Sequence, residues 1–124
     1  MKKSELKLGD WVLAEGSPIR IDELVEGIDT LSVYDDETNE IKDYSYDELS
    51  PIPLTEEILE KNGWREKKSS EHIAYENGWY ELFRVGQEGA WAFCHYDDFL
   101  TAIKHIHELQ HLLWALGMDD DLKI

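Results

Sequence analysis

The stretch His72-Ile73-Ala74-Tyr75-Glu76-Asn77-Gly78-Trp79-Tyr80-Glu81-Leu82-Phe83-Arg84-Val85 decides how the rest of the chain is read. Asn77-Gly78 supplies the two positive φ angles of a type I′ turn, and the flanking runs are rich in aromatic and β-branched residues, so the segment is a β-hairpin. Gly86-Gln87-Glu88-Gly89 makes a second turn into Ala90-Trp91-Ala92-Phe93-Cys94-His95-Tyr96, which predicts a three-stranded antiparallel meander. Beyond it, Asp97 or Asp98 caps a long C-terminal helix that runs to about Leu116 and stops at Gly117. At about 100° per residue, Phe99, Ala102, Ile103, Ile106, Leu109, Leu113 and Leu116 share one face of that helix, and this face meets the meander.

Upstream, Thr55 caps a short helix with Glu56 and Glu57 in its positive first turn and Gly63 as its stop. Trp64 to Ser70 reads as a polar loop. Ser50-Pro51-Ile52-Pro53 is a stiff connector, because each proline removes a donor and biases its predecessor to extended geometry, and it marks a boundary. Before it, Asp10-Trp11-Val12-Leu13 and Ile19-Arg20-Ile21 read as strands about a Gly16-Ser17-Pro18 turn. A further pair, Thr30 to Tyr34 and Glu40 to Tyr44, flanks the acidic turn Asp35-Asp36-Glu37-Thr38-Asn39. Strands this short must curl or pack to bury an apolar face. The expected fold is therefore α+β: a small Src-homology-3-like β-barrel lobe over residues 1–50, then an α-β-β-β-α lobe over 51–124, the two docked as one compact unit.

The chain has 124 residues, enough for one ordinary core or two small ones, and 42% of them are apolar, so it folds. Its lone cysteine, Cys94, excludes an intrachain disulfide and any multi-cysteine metal site, and fits a reducing compartment. No apolar stretch follows Lys2-Lys3 and no run is long enough to span a bilayer, so the expected location is the cytoplasm. Twelve basic against 28 acidic residues give a formal charge of −16, densest before residue 63, which disfavours contact with nucleic acid or an anionic membrane. A dense carboxylate array can also imitate a phosphate backbone, so an acidic nucleic-acid mimic is one alternative.

His107-Glu108-Leu109-Gln110-His111 matches the H-E-x-x-H signature of zinc hydrolases letter for letter. One helical turn puts both imidazoles on the same side for a single ion, and the glutamate reaches the metal-held water as a base. In that alternative His107 and His111 ligate zinc and Glu108 is catalytic. The expected third ligand is missing: Trp114 stands where a metzincin has glycine, and Asp119, Asp120 and Asp121 are the only carboxylates downstream. His95 or His72 could complete a three-histidine set. Leu100, Lys104, His107, His111 and Trp114 fall in a second row, nearly opposite the apolar face. Leu100, His107, His111 and Trp114 then form a contact surface against the N-terminal unit or against another chain, and docking within the chain is favoured in a protein this small.

Three blocks carry a resemblance: Ser50-Pro51-Ile52-Pro53-Leu54-Thr55-Glu56-Glu57-Ile58-Leu59-Glu60-Lys61-Asn62-Gly63-Trp64, Ile106 to Gly117, and Lys7-Leu8-Gly9-Asp10-Trp11-Val12. Together they resemble a group of small uncharacterised proteins of gut anaerobic bacteria and their phages. In that group the closing helix often has Gln in place of Glu108 or Asn in place of His111, both incompatible with the zinc role, so the resemblance implies a protein that is not a zinc hydrolase. The resemblance implies no activity or cofactor. The expectation is a small accessory or protein-interaction module, not an enzyme, with no cofactor, an unknown protein partner and a homo-oligomer allowed.

Overall fold

A computed structural model describes residues 1–21, 30–35, 38–68, 72–86 and 88–124. Asp36 and Glu37 of the acidic turn, Ser69 and Ser70 of the polar loop, and Gln87 of the second meander turn lie outside the described residues.

Near the N-terminus, β1 (Trp11–Ala14) lies between β2 (Ser17–Arg20) and β5 (Leu49–Pro51), and both neighbours are antiparallel to it. Pro18, expected in a turn, stands within β2; an edge strand tolerates it because one side of the strand has no partner to bond. The reversal is made instead by Glu15 (φ 52°) and Gly16 (φ 78°), the two positive angles of a type I′ turn. β3 (Thr30–Asp35) pairs with β4 (Glu40–Ser45) as a separate hairpin. Val12, Ile21, Leu31, Tyr44 and Leu49 from both sheets share one buried cluster. The expected Src-homology-3-like barrel is therefore not formed: among the described residues there is no closed barrel. Two short open sheets that face one another already bury their apolar sides without closing.

Thr55 caps α1 (Glu56–Lys61), its hydroxyl oxygen accepting from Ile58 N–H at 3.3 Å. The large sheet has five strands in the order β10-β9-β8-β7-β6, with β6 at Arg65–Glu66, β7 at Ala74–Asn77, β8 at Tyr80–Val85, β9 at Ala90–His95 and β10 at Asp98–Ile103. It replaces the three-stranded meander of the sequence expectation. β6 is two residues long and leaves little trace in a pattern. Helical spacing of its apolar residues predicts β10 as the first half of the closing helix, but Tyr96 takes φ 56° and turns the chain back on β9. The closing helix is accordingly not long: α2 is the ten residues Ile106–Ala115.

By alternation, Tyr80, Leu82, Trp91 and Phe93 face one side of this sheet. There they meet Leu54 and Leu59 from the α1 region and Ile106, Leu109 and Leu113 of α2. The buried Trp91 indole donates to Leu54 O at 3.1 Å, and Tyr75 donates its phenol to Glu60 Oε1 at 2.8 Å, tying α1 to the sheet. Burial, reinforced by that bond to Glu60, holds the Tyr75 phenol well above its ordinary pKa. Of the apolar face drawn for a long helix, Ile106, Leu109 and Leu113 are core, whereas Phe99 and Leu116 are exposed.

A left-handed backbone costs a non-glycine residue about 1–2 kcal/mol, and asparagine is among the side chains that visit this region. Replacing exposed Glu15 by asparagine is expected to stabilise the protein by about 0.5–1 kcal/mol. Urea unfolding measures this, and an unchanged midpoint would show that the β1–β2 turn carries no strain.

Candidate functional site

Every letter of His107-Glu108-Leu109-Gln110-His111 lies in α2, which is wedged between the large sheet and β1. Leu109 is core. Glu108 stands three residues after the N-cap, His105, where a carboxylate satisfies the helix start. Its Oε1 accepts from Lys104 N–H and His105 N–H, both at 3.1 Å, and lies 2.8 Å from His105 Nδ1, which donates.

Gln110 is buried, and its amide works as a clamp. Oε1 accepts from Trp11 N–H at 2.9 Å, while Nε2 donates to Gly9 O at 2.8 Å and Asp120 O at 3.4 Å. His111 Nε2 donates to Asp10 Oδ2 at 2.7 Å. Asp10 is 2% exposed, and the same oxygen accepts from Lys7 N–H at 2.8 Å, closing the tight turn Lys7-Leu8-Gly9-Asp10. Gly9 makes that turn possible at φ 88°, and so presents its carbonyl to Gln110. Trp11 Nε1 donates to Leu122 O at 2.8 Å, and Arg20 pairs with Asp121 at 2.5 Å, so the C-terminal residues are bound into the same seam.

His107 is 6% exposed, and its Nδ1 has no hydrogen-bond partner among the described residues. Its ring stacks on His105 (5.7 Å, 10°) and meets His111 edge-on (5.6 Å, 76°). Burial lowers the His107 pKa, against the opposing pull of Asp10 and Glu108. A pocket of about 490 Å³ opens beside these rings, lined by Glu5, Pro51, Lys104 and the three histidines. A second, of about 350 Å³, lies between Lys7, Leu8, His111, Trp114 and Asp120.

His107 and His111 are adjacent, but His111 Nε2 is turned to Asp10, and the Glu108 oxygen that would act on a water is held at the helix start. Among the described residues, no group of three or more His, Cys, Asp and Glu side chains is placed to hold a metal ion. His95 pairs with Asp98, at the end of the β9–β10 ladder away from α2, and packs on Tyr80 and Tyr96. Leu100 belongs to β10, so it does not continue the row of His107, His111 and Trp114 along one helix. Trp114 is 60% exposed, with Lys7 Nζ 3.2 Å from its ring centre. Asp10, His105 and Gln110 were not expected at the site. The spacing of His105 and Glu108 is that of a capping box, but histidine is not a usual cap, so the signal was weak.

No protein-family model matches the chain, and no curated protein or solved structure matches it. No helix among the described residues is long and apolar enough to cross a membrane.

Two outcomes are expected. Gln110→Ala strands a strand N–H and a turn carbonyl inside the seam and should cost about 1–3 kcal/mol in urea unfolding; a loss below about 0.3 kcal/mol would remove the clamp from the account. His107 binds a proton less readily folded than unfolded, so its contribution to stability is complete above its ordinary value of 6.5 and is lost as pH falls below that value. Midpoints measured from pH 8 to 5 should drop in the native protein and drop less in His107→Leu, and equal slopes in the two would contradict this.

Proposed function

We propose that the chain is a non-enzymatic protein-interaction module whose H-E-x-x-H helix is an internal clamp. One observation carries this. The polar side chains Glu108, Gln110 and His111 are all engaged in holding α2 to its own N-terminus and to the turn before β1. A hydrolase needs the same glutamate and histidines turned together on a metal-held water. Support for a contact role comes from the opposite kind of residue. Trp79 is 66% exposed and its ring centre is 5.1 Å from that of exposed Tyr96, while Phe99, 63% exposed, and Leu100 are open on β10, which begins two residues later. Large aromatic side chains gathered on the surface mark contact sites more often than solvated ones.

Glu108→Gln separates the clamp from the catalyst. Glutamine also fills the capping position, so stability should change by no more than about 0.5 kcal/mol, whereas Glu108→Ala should cost about 1 kcal/mol. Elemental analysis should find no zinc that depends on His107 and His111. One zinc per chain, lost in His111→Ala, together with hydrolysis lost in Glu108→Gln, would replace this function with the enzymatic one.

A further inference from the structure

β10 is the last strand of its sheet: one side of its backbone pairs with β9, and among the described residues the other has no strand beside it until just past Ile103, where Pro53 bridges His105 and Leu54 N–H donates to Lys104 O at 2.9 Å. An edge of this kind offers a row of N–H and C=O groups to any extended segment, and natural proteins usually blunt it with proline, lysine or a covering element. Asp98-Phe99-Leu100-Thr101-Ala102-Ile103 contains neither proline nor lysine, and Phe99, Leu100 and Ala102 are exposed. A bulge between Phe99 and Thr101 leaves Leu100 without a partner on β9 and bends the strand there, so pairing along this edge is interrupted at Leu100.

At the start of β10 the Tyr96 turn packs on the Gly78-Trp79 turn between β7 and β8. Tyr96 N–H donates to Trp79 O at 3.0 Å, and the two rings form an exposed pair. Exposed Asp97 and Asp98 follow directly. An aromatic pair beside two carboxylates attracts a guanidinium or ammonium group, through the ring faces and through charge together. Farther along, Ala102, Ala92, Phe83 and Ala74 lie in register across four strands and share the sheet face turned away from α2. On that face Ala102 and Phe99 of β10 are exposed, so an apolar side chain of an added strand would lie beside them.

Building on the contact role above, we propose that the β10 edge and the Trp79–Tyr96 pair together dock an extended segment of a partner protein that alternates arginine or lysine with apolar residues. Such a segment adds a sixth strand, places a cation over the rings near Asp97 and Asp98, and lays an apolar side chain against Phe99. The chain's charge of −16 favours a cationic occupant and opposes a second copy of the same chain.

The probe is a capped eight-residue peptide alternating arginine and valine. Two controls accompany it: one with glutamate for arginine, and one of equal positive charge with proline for valine, which cannot pair as a strand. Amide and indole NMR shifts, with hydrogen exchange of residues 98–103, report where each binds. The arginine–valine peptide should shift Trp79, Tyr96 and β10 and slow exchange along that strand. The double variant Trp79→Ala/Tyr96→Ala should weaken it about tenfold, and Asp97→Lys/Asp98→Lys should shift preference toward the glutamate peptide. Equal binding of the proline peptide, shifts confined to the acidic N-terminal residues, or a β10-mediated dimer in light scattering would each overturn the proposal. Such a failure leaves the non-enzymatic role standing, because that role is tested by zinc content and by Glu108→Gln.

Discussion

The primary amide of Gln110 is the group on which the arrangement of this chain turns. α2 has one side on the large sheet through Ile106, Leu109 and Leu113, and the opposite side is also withdrawn from water against β1. A helix buried on two sides is ordinarily apolar on both. Here the second side carries Gln110 and His111, and buried polar groups are tolerated only when their bonds are made. The amide meets that condition with one acceptor for Trp11 N–H and donors for Gly9 O and Asp120 O. Those three partners come from a strand, a turn and the C-terminal segment. A single side chain therefore orients three parts of the chain that share no sheet.

Directional bonds at that seam do something an apolar contact would not. Greasy surfaces slide over one another at small cost, whereas a misplaced amide leaves several groups unsatisfied at about 1–3 kcal/mol each. His111 with Asp10 and Arg20 with Asp121 add two more fixed pairs to the same seam. Asn62 does the equivalent at the end of α1, donating to Lys123 O and accepting from Lys123 N–H, both at 2.7 Å. The three sequence blocks that stand out along the chain thus converge around α2: the Lys7 to Val12 turn and strand, the proline-to-glycine segment, and the helix itself.

Which parts were legible follows from whether a local rule suffices. The β7–β8 hairpin and the Thr55 cap are each specified by neighbours in sequence, and each is present. Asn77 pairs with Tyr80, however, so the chain reverses at Gly78-Trp79 with Gly78 alone at a positive φ, and Pro51 pairs with Val12 in β5 instead of lying in a connector. β10 was not legible, because an edge strand exposed on most positions shows no alternation of burial, and its apolar residues fall by chance at helical spacing. Two aspartates after Tyr96 look like a helix cap, but Tyr96 accepts a left-handed angle there, and only pairing with β9 decides between the two. The barrel expectation failed for a similar reason. Short strands imply that something covers them, and the pattern cannot say whether closure or a second sheet does so.

The candidate site shows how a motif can be correct in geometry and different in use. H-E-x-x-H is a statement that two imidazoles and a carboxylate lie within one helical turn, and that much holds at residues 107–111. The physical demands at that spacing are not unique to zinc. A carboxylate three residues past the N-cap is what a helix start requires, and a histidine one turn later can reach a buried aspartate on a neighbouring turn. What separates the two uses is the direction in which the ring nitrogens and carboxylate oxygens point, and direction is set by Asp10, Gly9 and His105 from outside the motif. His107 is the residue left over. It is buried and held toward its neutral form by burial, and its Nδ1 has no hydrogen-bond partner among the described residues, which carries a desolvation penalty. Stacking on His105 and edge contact with His111 offset part of that penalty, which makes the three rings a single packed unit at the mouth of the seam.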